Sequence, residues 1–256
     1  MTDLPSVRRL EAVAFRAWPA ASVLYDGSWL IRLTAGHDSK RLNSLNPLDP
    51  SDTANIAVRL EKAARRFADY GRPLTVRQTP LTPLPLVSHM DEQGWSSLGE
   101  TIVMRVDLTV SDPGDGMDHL PIRDVGRFVD ARLSVSGEDA FLKAGLSEII
   151  NAIKPERGMF LFEDAKSGPE AVCLAVQDND MAGILQMIVR KDLRRQGIGS
   201  AILGTSLRWA RLRGAKTAWL QVEADNAPAI AMYRTFGFGE VYRYTYRRPA
   251  VVGASA

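Results

Sequence analysis

The stretch Ile188-Val-Arg-Lys-Asp-Leu-Arg-Arg-Gln-Gly-Ile-Gly-Ser-Ala-Ile202 carries the chain from a strand, through a loop with two closely spaced glycines, into a helix. Unpaired backbone N–H groups at a helix start, together with the positive end of the helix dipole, bind anions. Gly197 and Gly199 let the main chain approach such a ligand without a Cβ in the way. Between positions 190 and 216 the chain carries Arg190, Lys191, Arg194, Arg195, Arg208, Arg211, Arg213 and Lys216 against one acid, Asp192. The same pattern also fits an ordinary strand-to-helix turn with a solvated basic face. Two familiar phosphate loops are excluded: G-x-x-x-x-G-K-[ST] is absent, and no third glycine or following acid completes G-x-G-x-x-G.

Downstream, Trp219-Leu-Gln-Val-Glu-Ala-Asp-Asn-Ala-Pro-Ala-Ile-Ala-Met-Tyr-Arg-Thr-Phe-Gly-Phe238 reads as a strand, an Asn, a short helix bearing a Tyr, and Gly-Phe. Asn226 can cap the helix that begins at Ala227, with Pro228 tolerated in its first turn. Tyr233 lies about two turns further on, on roughly the same face as Asn226. Taken alone, it reads equally as a core or surface tyrosine. The two segments together, Arg194-x-x-Gly197-x-Gly199 followed by the Asn226 to Phe238 pattern, resemble the acyl-CoA signature of the GNAT superfamily of N-acetyltransferases. The resemblance covers about residues 119 to 248, and the first 110 residues match only as a degenerate copy.

The resemblance implies a mixed, mostly antiparallel central sheet flanked by helices, in the α/β (α+β) class and duplicated in this chain. It implies acetyl-CoA as acyl donor, with Arg194, Arg195, Gln196, Gly197, Ile198, Gly199 and Ser200 at its pyrophosphate. Backbone groups of Met187, Ile188 and Val189 would pair with the pantetheine arm, with Asn226 and Tyr233 also contributing to the cofactor site. Tyr233 takes the role of general acid near the thioester sulfur, where a phenol can donate a proton to the departing thiolate. Some family members carry a glutamate on the strand before the glycine loop, but Gly183-Ile-Leu-Gln-Met-Ile-Val-Arg190 has none. Glu223 is the candidate base. Its alternation with Leu220 and Val222 also fits a solvent-facing residue, and water relaying the proton from an unassigned group is the other possibility.

Helical patterns cover Ser6–Ala17, Thr53–Tyr70, Pro85–Gln93, Val125–Leu133, Glu138–Ile153, Ile198–Arg213 and Ala227–Phe236. Strand patterns cover Ser28–Thr34, Asn43–Leu48, Pro73–Gln78, Thr101–Leu108, Gly158–Glu163, Glu170–Gln177, Gly183–Arg190, Thr217–Glu223 and Glu240–Arg247. The turn-rich, acidic run Ser111-Asp-Pro-Gly-Asp-Gly-Met-Asp118 divides residues 1–110, a degenerate GNAT-like domain, from residues 119–256, the catalytic one, with 111–118 as linker. A shift of 143 positions lays Gly71 on Gly214, Gly94 on Gly237 and Trp95 on Phe238, and elements on elements. The site residues then face Ser51, Ala54, Ile56, Pro83 and Met90, so the first copy lacks the site chemistry. Chance agreement of helix-stop glycines is the alternative.

Across 256 residues the chain is 45% hydrophobic and 24% charged, with a net charge of +2, which is ordinary globular usage. That balance argues against a nucleic-acid or membrane-surface partner. Cys173 alone forms no internal disulfide, and it sits in the apolar run Ala171–Val176 as a small core residue. His37, His89 and His119 lack metal-ligand spacing, and no metal is expected. No run approaches ~18 uninterrupted apolar residues and the amino terminus has no apolar leader segment, so the expectation is a soluble cytoplasmic protein, monomer or homodimer. Trp18, Trp29, Trp95, Trp209 and Trp219 read as core or interface residues. The expected activity is acetyl transfer to a primary amine of a small molecule, with a protein or peptide amine second. A non-catalytic acyl-CoA-binding module and a transferase of longer acyl groups are the rivals.

Overall fold

The computed structural model describes residues 3–111 and 119–250; all of the expected linker except Ser111 lies outside the described residues. The first half runs α1 (Leu4–Ala17), β1 (Ser22–Asp26), β2 (Trp29–Leu33), β3 (Ser44–Pro47), α2 (Ile56–Asp69), β4 (Val76–Gln78), α3 (Leu84–Glu92) and β5 (Ser96–Asp107). The second runs α4 (Val125–Ser136), a 3-10 turn (Ala140–Leu142), α5 (Lys143–Ala152), β6 (Glu156–Asp164), β7 (Gly168–Asp178), β8 (Met181–Val189), a second 3-10 turn (Lys191–Leu193), α6 (Ile198–Leu212), β9 (Thr217–Glu223), α7 (Ala227–Thr235) and β10 (Gly239–Arg248). A shift of 143 positions carries the bounds of α3 onto those of α7.

The strands form one ten-stranded sheet in the order β1-β2-β3-β4-β10-β5-β9-β8-β7-β6. The pairings are antiparallel except β3 with β4 and β8 with β9, so the sheet is mixed and mostly antiparallel. Read inward from either edge, the order of pairings is the same. The final strand of each half is exchanged: β5 lies against β9, and β10 lies against β4. The two exchanged strands pair with each other at the centre.

Alternation within the strands builds the layers. On β7, Val172, Leu174 and Val176 face a core shared with α1, α4 and α5, while Ala171, Cys173 and Ala175 face a core shared with α6 and α7. Trp29, Ile31, Leu33, Leu45 and Val76 pack under α2 and α3 on that second face. Helices therefore cover both faces. The amphipathic spacing that forms α2 is visible in Leu60, Ala63 and Phe67, its buried stripe.

Two local expectations need correction. The short edge strand β1, Ser-Val-Leu-Tyr-Asp, escapes the periodicity because Val23, Leu24 and Tyr25 are all exposed and no alternation marks it. The single helix expected over Glu138–Ile153 is a 3-10 turn, in which the Asp139 side chain accepts from the Phe141 N–H, running into α5. Among the described residues no helix is long and apolar enough to cross a membrane.

Candidate active site

The ladder between β8 and β9 begins at Met181↔Thr217 and stops at Ile184↔Leu220, although β8 continues to Val189 and β9 to Glu223. Beyond that point the strands part and leave a notch. β7 stays paired to β8 through Val172↔Ile188 and Ala171↔Val189, after a bulge in which Gln186 takes a φ of 48°. The Arg190 N–H donates to the Glu170 carbonyl, so alternation turns the backbone groups of Ile188 toward β7 and those of Met187 and Val189 toward the notch. Of the three residues expected to pair with pantetheine, Met187 and Val189 therefore turn their backbone groups away from β7, and Ile188 is taken by its neighbour.

At the end of β8 the chain turns through Lys191–Leu193 and enters α6. Gly197 is the N-cap residue, with a φ of 86°, and no side chain caps the helix. A Cβ at Gly197 would meet nothing within 4 Å, so the glycine answers a backbone demand and leaves open space in front of the first turn. Gly199 serves close packing instead: a Cβ there would lie 3.2 Å from the Met232 sulfur and 3.6 Å from Met187 and Val189. Arg195 and Gln196 are exposed beside this opening, with Ile198 and Ser200 half-buried in the first turn. Arg194 donates from Nε to the Val189 carbonyl at 3.3 Å. Uncapped first-turn N–H groups, open space and nearby guanidinium groups suit an anion such as pyrophosphate.

Asn226 accepts from the Ala229 N–H at 3.2 Å, which is the capping role its position suggests. Two turns on, the Tyr233 side chain is buried, its hydroxyl 3.7 Å from the Met187 sulfur and its ring edge-on to Phe238. Burial, reinforced by the neighbouring Cys173, raises the Tyr233 pKa well above the ordinary phenol value. The phenol is therefore a proton donor throughout the neutral range. Cys173 is fully buried and burial pushes its thiol up to about 12, which rules out a ready thiolate.

Glu223 is an exposed residue at the end of β9. It alternates with Leu220 and Val222, which face α6 and α7, and so joins Trp219 and Gln221 on the opposite face of β9. There it lines a cavity of about 460 Å³ with Lys40, Arg41, Glu100, Tyr244 and Tyr246. Sequence reasoning missed the first-half loop at Lys40 and Arg41, because nothing local marks a polar loop that reaches across a sheet. The spacing-two tyrosines Tyr242, Tyr244 and Tyr246 were a legible signal of a one-faced aromatic strand. Tyr244 donates to the Gln221 side chain at 3.0 Å. No group of three or more His, Cys, Asp or Glu among the described residues is placed to hold a metal ion.

The first half carries an ion pair of its own near the matching helix start. Just ahead of α2, Asp52 accepts from the Ser28 N–H and hydroxyl at 3.0 and 2.7 Å and from Arg59 at 2.8 Å. The Arg59 hydrogen bonds hold its carboxyl down at about 2, and Arg59 in turn stacks over Trp29.

Residues 5–247 match the model of the family described as "Probable histone acetyltransferase Rv0428c C-terminal". The chain belongs to that family, and with it to the GNAT superfamily. Among GNAT relatives, the uncharacterized N-acetyltransferase YobR of Bacillus subtilis (strain 168) is 22% identical over 249 residues, spanning 95% of this chain and 99% of its own length. The [ribosomal protein bS18]-alanine N-acetyltransferase of Escherichia coli (strain K12) is 38% identical over 80 residues, 31% of this chain and 53% of the relative. A tandem GNAT protein from the clavulanic acid biosynthesis pathway superposes with a TM-score of 0.63 at 14% identity, covering 97% of this chain and 89% of that one.

Proposed function

We propose that this GNAT protein transfers an acetyl group from acetyl-CoA to a primary amine of a small molecule. The observation that carries the reading is the notch between β8 and β9, with a buried, protonated phenol beside it and an uncapped, glycine-led helix start at its mouth. In this reading Arg194 to Ser200 hold the pyrophosphate, and the notch-facing backbone groups of Met187 and Val189 hold the pantetheine arm. Acetyl-CoA supplies the activated acetyl group.

The acceptor enters from the cavity side of β9. As the amine nitrogen bonds to the acetyl carbon, its proton passes to Glu223, directly or through water, and the carbon–sulfur bond breaks. Tyr233 gives its proton to the leaving sulfur. Most of the rate gain is positioning, with the general acid adding on the order of 10²–10⁴-fold. The first half acts as a wall of the acceptor cavity, through Lys40 and Arg41. A peptide amine is the alternative acceptor, and the activity named for the Escherichia coli relative favours keeping it.

Thermal unfolding with and without acetyl-CoA tests the donor site. At about a hundred times its Kd the ligand adds ~2.7 kcal/mol of stability, and this shift is expected in the wild type and not in Gly197→Asp. Release of CoA thiol that depends on an added amine tests the chemistry. Binding without amine-dependent release from any amine would instead establish a non-catalytic acyl-CoA module.

A further inference from the structure

Three guanidinium groups gather behind the acceptor cavity. Arg32 from β2, Arg41 from the β2–β3 loop and Arg77 from β4 line a small void of about 20 Å³ with Leu185, Trp219 and Gln221. One carboxylate answers them: Glu11 binds Arg77 through two hydrogen bonds, at 2.7 and 3.0 Å. Arg32, 3% exposed, donates to the backbone carbonyls of Arg41, Trp18 and Phe15. Burial, and then the charge of Arg77, lower its pKa to about 10. Among the described residues the Arg41 side chain meets no carboxylate within ion-pair distance. The wall thus holds more positive charge than its one carboxylate neutralises; Arg32 is held by carbonyls and Arg77 by Glu11, and the half-buried Arg41 is the guanidinium placed to meet a ligand anion.

The larger cavity is bipolar. Arg41 and Lys40, the latter over the Tyr246 ring at 5.5 Å, supply its cations, and Glu223, Asp225 and Glu100 its carboxylates. Glu100 is already engaged by Arg243 at 2.7 Å, which leaves Glu223 and Asp225 at the end of β9. We infer that the acceptor carries an anionic group as well as its primary amine, with the anion received by Arg41 and the ammonium drawn to Glu223 and Asp225. The inference rests on the acetyltransferase reading and names the acceptor class for it. Arg32 acts through its bond to the Arg41 carbonyl and through its charge, as a positioning residue.

The test compares amines matched in size, with and without the anion. Amino acids are set against their amides and decarboxylated amines, and phosphoethanolamine against ethanolamine, which separates carboxylate from phosphate recognition. The wild type is expected to favour one anionic series by tenfold or more in kcat/KM, with the difference in KM. Arg41→Gln should reduce that ratio to near one and Arg41→Lys should restore part of it. Calorimetry of acetyl-CoA binding runs beside each assay: a wild type that binds no acetyl-CoA refutes the acetyltransferase reading itself. A protein that binds acetyl-CoA but acetylates no anionic amine in the panel overturns the inference, as does one whose preference survives Arg41→Gln.

Discussion

Arg77 of β4 and Glu11 of α1 form a two-pronged ion pair, 3% and 1% exposed, with the Arg77 guanidinium stacked 3.4 Å from the Tyr244 ring centroid. Tyr242 donates to the same carboxylate at 2.5 Å and Tyr246 contacts Arg77 at 3.2 Å, so the pair ties the first half to the exchanged strand β10. Removing one partner leaves the other charge buried and unmatched, which costs about 3–5 kcal/mol. Glu11→Gln and Arg77→Met should each lose stability on that scale in urea denaturation. The double variant Glu11→Gln, Arg77→Met should lose clearly less than the sum of the two. Additive losses would show that the two residues are not coupled.

Tyr233→Phe keeps the ring and removes only the hydroxyl, which lies against the Met187 sulfur. Turnover should fall by about 10²–10⁴-fold while the Kd for acetyl-CoA changes little. Steady-state kinetics with calorimetry checks both, and full turnover in the variant would remove Tyr233 from the chemistry.

The pH profile follows from the direction of the Tyr233 shift. A general acid works only while protonated, and burial holds this phenol protonated beyond the ordinary value of about 10. The kcat profile should therefore show no falling alkaline limb from Tyr233 below pH 10. A limb with a midpoint under 10 that vanishes in Tyr233→Phe would contradict the assignment.

Gly197→Ala and Gly199→Ala should fail differently. At Gly197 the open space admits a methyl, and the cost is backbone strain at a φ of 86°, about 1–2 kcal/mol. At Gly199 the φ is ordinary and the methyl presses on Met232. Melting temperatures with and without acetyl-CoA separate the two, and equal effects would refute the distinction.

Most elements were legible because long amphipathic or alternating runs specify them locally. The second half was clearest, since β7, β8 and α6 have strong apolar periods and glycine stops. Pairing was not legible: Thr101↔Glu223 and Tyr246↔Arg77 join residues whose spacing carries no local trace. Glu11 and Arg77 look like surface charges in the sequence and are buried only because each supplies the other's partner. The proposed donor side of the site, Met187 to Ser200 with Tyr233, is continuous enough to stand out as a motif. The proposed acceptor side is assembled from Arg41, Glu223 and Tyr244, which come from a loop and two strands, and no spacing in the chain announces that assembly.

The exchange of β5 and β10 makes the order of synthesis matter. Until β10 has been made, β4 and β5 both present bare backbone edges, and such edges recruit other chains. The strand that closes the sheet is also the one that brings Tyr242, Tyr244 and Tyr246 onto the Glu11–Arg77 pair. A nascent chain cut short before Gly239 would therefore be an aggregation hazard with an unbalanced interior. One strand, β10, thus supplies at once the missing backbone partner of β4 and β5 and the rings that enclose the ion pair.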